Sequence, residues 1–171
     1  MTRLHFLTIF LFFSFAVVAQ EKITPTDKLQ IDGAVGQSRL LTLDSFLSSP
    51  AVAIPDVIIT NHLGEPRSTY KGLKGILLKT VLEKSVFSTP GPKQLSEFYL
   101  VLEASDGYKV VYSWNELFNT VVGEQVYIVT EKDGKKLAEI PDRILAICAA
   151  DRRTGRRTVK GLQYIHIRRV E

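Results

Sequence analysis

The sequence predicts a single α+β domain, and three observations carry this. Short β-branched or continuously apolar runs outnumber amphipathic helical stretches. Most turn signals between them leave only short connections. No internal repeat, low-complexity tract or interdomain linker interrupts the 171 residues. A chain that is 45% hydrophobic and 23% charged excludes a disordered or fibrous protein. The single cysteine excludes an intramolecular disulfide and a thiolate zinc site. The formal net charge of +4 is a mild excess concentrated near the C-terminus.

Residues 1–19 read as a secretory signal peptide. Arg3 supplies the charged start, and Phe6 to Val18 is an uncharged apolar run. That run is too short to cross a bilayer core of about 30 Å as a helix. Val17 and Ala19 are the small residues of a cleavage site before Gln20. No cysteine follows the run, which excludes a lipoprotein anchor. The expectation is a periplasmic or secreted protein without a stable membrane anchor. Removing Arg3 leaves 21 basic against 18 acidic side chains.

Residues 20–38 are polar, with Pro25 and two glycines between 21 and 36, and read as an extended N-terminal segment. The folded domain is expected over residues 39–171. Arg39 to Leu43 suits a strand, and Asp44 can cap a short helix through Phe46 and Leu47 that stops near Pro50. Val57 to Thr60 is a β-branched strand, Asn61 to Glu65 has turn chemistry, and Arg67 to Lys71 suits the returning strand. From Gly75, apolar Leu78, Val81 and Leu82 recur at helical spacing, which predicts an amphipathic helix of about three turns.

Phe98 to Leu102 is continuously apolar, as in a strand covered on both faces. Asp106-Gly107 turns the chain into a strand over Tyr108 to Tyr112. Ser113 and Glu116 have capping-box spacing ahead of a short helix with Trp114, Leu117 and Phe118 on its apolar face. Tyr127 to Thr130 is a strand followed by the hairpin pair Asp133-Gly134. Ile144 to Ala150 reads as a buried strand. Gln163 to Arg168 alternates, with the isoleucines on one face and Tyr164, His166 and Arg168 on the other.

Several of these segments, in order, resemble the sulfite-oxidase-type molybdopterin-binding domain family. Tyr70 to Leu78 resembles the family's aromatic–glycine–leucine-leucine segment, and Ser105-Asp106-Gly107-Tyr108 its serine-aspartate-glycine-tyrosine hairpin. Ile144 to Asp151, Arg157 to Leu162 and Ile165 to Ile167 resemble its closing strand, loop and strand. The likeness spans roughly residues 39–170. It implies a mixed β-sheet with a barrel-like core and short helices. The family's catalytic members bind molybdenum through a pterin dithiolene and one cysteine thiolate, carried on the loop after the strand matching Val57 to Thr60. Here that loop runs from Asn61 to Arg67 and has no cysteine, and Cys148 does not align with the ligand position. An imidazole or a carboxylate does not replace a soft thiolate chemically. No cofactor is therefore expected, and molybdopterin is the alternative.

The basic stretch Arg152, Arg153, Arg156, Arg157 and Lys160, with Asp151 the one acidic neighbour, suits an anion site, because guanidinium forks grip oxyanions bidentately. In the resembling family the matching loop faces the cofactor side. The candidate ligand-binding residues are His62, Arg67, Asp106, Tyr108, Arg152, Arg153 and Arg157. No catalytic or metal residue is assigned. Cys148, inside an apolar run, is expected to be an inert core thiol. The charge excess is too small, and export too plain, for nucleic acid. The expected function is an exported, non-catalytic binding module for a small anion or a protein partner. The alternative is a molybdopterin-dependent oxidoreductase without a cysteine metal ligand.

Overall fold

Alternation of apolar side chains sorts the strands into layers. In the computed structural model, which describes residues 22–171, the elements in chain order are β1 (Lys28–Gly33), β2 (Arg39–Thr42), α1 (Leu43–Leu47), β3 (Val52–Ile54), β4 (Val57–Thr60), β5 (Pro66–Tyr70), β6 (Leu73–Leu77) and α2 (Leu78–Leu82). After a 3-10 turn follow β7 (Phe98–Ala104), β8 (Lys109–Ser113), α3 (Trp114–Phe118), β9 (Val126–Lys132), β10 (Lys135–Lys136) and β11 (Leu145–Cys148). A 3-10 turn at Thr154–Arg157 then leads to β12 (Val159–Lys160) and β13 (Leu162–Arg169). The predicted signal peptide lies outside the described residues.

The first sheet has the order β2-β1-β13-β7-β8, with β1 and β13 parallel and the other pairs antiparallel. The second has the order β12-β11-β9-β6-β3, with β10 added to β9. Between the sheets lies the main core. Leu29, Ile31, Leu100, Leu102, Ile165 and Ile167 come from the first sheet, and Ile76, Ile128, Ala146 and Cys148 from the second. A smaller core lies on the far side of the second sheet. There Val129, Leu145 and Ile147 meet Val57, Ile59 and Tyr70 of the β4–β5 hairpin. β11 is buried along its whole length because both its faces are covered, which is why its sequence is continuously apolar.

The α+β class stands. The barrel-like core does not: among the described residues no sheet closes, and each of the two large sheets ends in edge strands. Closure is replaced by stacking, with the hairpin as a third layer. The segment read as an N-terminal lead-in contains β1, whose Leu29 and Ile31 are fully buried beside β13. Its burial comes from a partner more than a hundred residues away, which local polarity does not reveal.

The three-turn helix from Gly75 is a strand followed by a five-residue helix. Leu78, Val81 and Leu82 are its buried face. Gly75 belongs to the strand, where an added Cβ would lie 2.8 Å from the Ile128 carbonyl oxygen and 2.8 Å from Ile54 Cδ1. The cap of α1 is Thr42 rather than Asp44, which lies in the first turn. β7 alternates between buried and half-buried residues, so only one of its faces is fully covered. Other local signals match. Ser113 Oγ accepts the Glu116 amide at 3.0 Å to cap α3, and Asp133 and Gly134 both adopt positive φ in the β9–β10 turn.

Candidate functional site

The basic stretch is divided three ways by the fold. Arg157 turns inward. Its Nε donates to Asp151 Oδ2 at 2.7 Å and its Nη2 pairs with Asp151 Oδ1, while Nη1 pairs with Glu116 Oε1. The guanidinium lies over the Tyr112 ring, 4.6 Å from its centroid. These bonds, Asp151 foremost, raise the Arg157 pKa above its ordinary value. Arg157 thus bridges α3, β8 and the end of β11, and its donors serve the protein itself. Lys160 leans toward Asp142 at 3.8 Å. Arg152, Arg153 and Arg156 remain outside, exposed to solvent.

The loop that carries these three arginines is moored at several points. Thr154 Oγ1 donates to the Ile58 carbonyl at 2.6 Å and accepts the Thr60 amide at 3.1 Å. One hydroxyl therefore satisfies two backbone groups on the outer edge of β4, as a neighbouring strand would. Gly155 packs against the same strand, where a Cβ would fall 1.8 Å from the Thr60 carbonyl oxygen. Tyr108 donates its hydroxyl to the Arg156 carbonyl at 2.6 Å. Asp106 accepts the Tyr108 amide at 3.1 Å and shapes the β7–β8 turn, in which Gly107 takes φ of 77°. Asp106 and Tyr108 are thus occupied in setting the loop from below.

Facing the loop is the β4–β5 turn. Asn61 organises it. Its Oδ1 accepts the amides of Leu63 and Glu65, both at 3.0 Å, and its Nδ2 donates to Glu65 Oε2 at 2.7 Å. His62 enters the site through its backbone: its carbonyl accepts Arg153 Nη1 at 3.4 Å and Arg156 Nη2 at 3.2 Å. Arg67 stands beside Glu65 at 3.3 Å. Beside this cluster an open cleft of about 420 Å³ is floored by Pro55, Val57, Ile58, Pro66 and Ala149, with Arg152 on its wall.

The fold therefore joins His62, Arg67, Arg152 and Arg153 around one turn and one loop, and adds Arg156. Asn61 and Thr154 were missed. Their roles arise from side chains standing in for backbone partners, and only the Asn61-to-Glu65 turn chemistry hinted at one of them. His166 lies elsewhere, on the outer face of the first sheet. Its Nδ1 is 2.6 Å from Asp32 Oδ1 and its Nε2 is 3.4 Å from Glu103 Oε2, and the ring stacks on Tyr164.

Cys148 ends β11 fully buried, with Arg157 Nη2 3.7 Å from its sulfur. Burial, with the Asp151 carboxylate adding to it, pushes the thiol up to about 11. This thiol is protonated and covered, unlike a metal ligand. Among the described residues no cluster of three or more His, Cys, Asp and Glu is arranged to hold a metal. The turn from Asn61 to Arg67 presents an amide, an imidazole, carboxylate and guanidinium groups. That donor set does not fit a metal anchored by a soft thiolate.

No family model matches this chain, and no curated protein matches it. Among solved structures, the sulfane dehydrogenase SoxCD from Paracoccus pantotrophus is similar, with a TM-score of 0.61 at 12% identity. The match covers 86% of this chain and 40% of that one, so this protein spans well under half the length of its structural neighbour. At that identity the likeness concerns the fold alone. Stacked sheets, short helices and this neighbour together show that the chain carries a sulfite-oxidase-like fold.

Proposed function

We propose that this protein is an exported, non-catalytic binding module that holds an anionic ligand at the arginines around the β4–β5 turn and works without molybdenum. One observation supports this above the others. Arg152, Arg153 and Arg156 make no ion pair with any carboxylate among the described residues, and two of them converge on a single backbone carbonyl. A neutral carbonyl is a weak partner for two guanidinium groups, and an oxyanion supplies the charge they lack. The ligand set keeps Arg67, whose one carboxylate contact is a solvent-exposed pair with Glu65, and excludes Arg157, whose three nitrogens are committed to Asp151 and Glu116.

The test measures melting temperature with phosphate or sulfate added at constant ionic strength. Binding to the folded state raises it, and the rise is expected to disappear in Arg153→Ala/Arg156→Ala. An identical rise in the variant would refute the site. Protein made in a host that builds the cofactor is to be analysed for metal and pterin separately, and neither is expected.

The fold likeness to a sulfane dehydrogenase favours a second reading, a molybdopterin-dependent oxidoreductase without a cysteine ligand. In it the same arginines hold the pterin phosphate. Stoichiometric molybdenum would establish that reading and displace the first.

A further inference from the structure

We infer that the ligand of this surface is an acidic, partly apolar peptide segment of a protein partner rather than a free small ion. This rests on the arginine reading above and names its partner. Arg67, Arg152, Arg153 and Arg156 are all solvent-exposed. A small ion bound by exposed guanidinium groups keeps its competition from water and salt, so each contact is weak. Affinity then requires several charge contacts in series together with buried apolar area.

The surface offers both. Leu63, at the tip of the β4–β5 turn, is 62% exposed, and Ile58, on the cleft floor, is 52% exposed. Arg153 passes over Gly64, next to Leu63, with its side chain 3.7 Å from where a Gly64 Cβ would stand. Ile58, Pro55, Pro66 and Ala149 form an apolar floor beside Arg152. Cations thus flank apolar side chains at both places. Of the nearby carboxylates, Asp151 is held by Arg157 and Glu65 by Asn61 and Arg67. Asp56 on the cleft lining is without an ion pair among the described residues, but Arg152, Arg153 and Arg156 outnumber it and the patch is electropositive. Its chemical complement is a segment that alternates acidic and apolar side chains. The Thr154 hydroxyl already occupies Ile58 and Thr60 on the β4 edge, so recognition runs through side chains and not through strand addition there.

The experiment titrates the full mature protein into a short fluorescein-labelled peptide of alternating Glu and Leu and follows anisotropy. Peptides of alternating Gln and Leu, and of alternating Glu and Ser, serve as controls. The Glu/Leu peptide is expected to bind best. Arg153→Ala/Arg156→Ala is expected to weaken it about tenfold or more, and Ile58→Ser/Leu63→Ser several-fold. These substitutions are on exposed positions, and a melting curve checks that each variant is folded. Equal binding of the Glu/Ser peptide would overturn the inference and leave a simple anion site. Equal binding of the Gln/Leu peptide would overturn it as well, because charge would then play no part. A phosphate-induced rise in melting temperature with no peptide binding overturns the inference alone. Absence of both overturns it together with the reading beneath it.

Discussion

The Tyr108 hydroxyl donates to the Arg156 backbone carbonyl at 2.6 Å, and this bond joins the β7–β8 turn of the first sheet to the arginine loop. The two residues are 48 positions apart. Tyr108 belongs to a serine-aspartate-glycine-tyrosine turn whose purpose is invisible locally, because its effect is on where two other side chains, Arg153 and Arg156, come to rest. Tyr108→Phe keeps the ring and removes the bond. It is expected to cost about 0.5–1 kcal/mol in urea denaturation, the lower part of the range for one hydrogen bond, because the site is solvent-facing. It should also weaken anion binding, which a purely local turn role would not do.

Arg157 and Arg153, four residues apart, are expected to behave oppositely. Arg157→Ala leaves Asp151 and Glu116 without their shared partner in a mostly buried setting. The expected loss is about 2–4 kcal/mol, the cost of stranding buried charge less a discount for partial exposure. Arg153→Ala is expected to change stability by less than about 0.5 kcal/mol, as surface substitutions generally do. Chemical denaturation of the two variants decides the assignment, and similar losses would show that Arg157 has no special structural part.

Cys148 is expected to resist thiol reagents in the folded protein and to react once it is denatured. Its folded pKa of about 11 lies above its ordinary value of 9.0. The unfolded chain therefore loses the thiol proton first. The stabilisation is complete below pH 9 and falls as pH rises toward 11. Melting temperatures measured across that window should fall less steeply for Cys148→Ala than for the parent. Cys148→Ser places a hydroxyl among apolar groups and is expected to cost about 1–3 kcal/mol.

Thr154→Val is nearly isosteric and deletes the hydroxyl that serves both Ile58 and Thr60. Leaving a carbonyl and an amide unpaired in a partly buried place is expected to cost about 1–3 kcal/mol. Hydrogen exchange of the Thr60 amide should accelerate in the variant. Unchanged protection there would mean that the β4 edge is held by packing alone.

The α+β class and most of the strands were legible in the residues alone, because strand alternation, β-branching and turn pairs such as Asp133-Gly134 act over a few residues. The apolar run around Cys148 pointed to a core thiol, which the buried end of β11 bears out, and no thiolate stands in the Asn61 to Arg67 turn. Tertiary structure alone decided the rest. β1 is a buried strand because β13 lies beside it, and the helix expected from Gly75 starts only at Leu78 because Gly75 to Leu77 pair with β9 as part of β6. Five basic residues read as one patch became a structural bridge at Arg157, a paired Lys160 and three outward arginines. Which way a side chain turns depends on what faces it, and Glu116, Tyr112 and Asp151 are brought to Arg157 by three different elements. The same holds for His62, which meets the arginines through its carbonyl, a group that every residue carries and that no residue type announces.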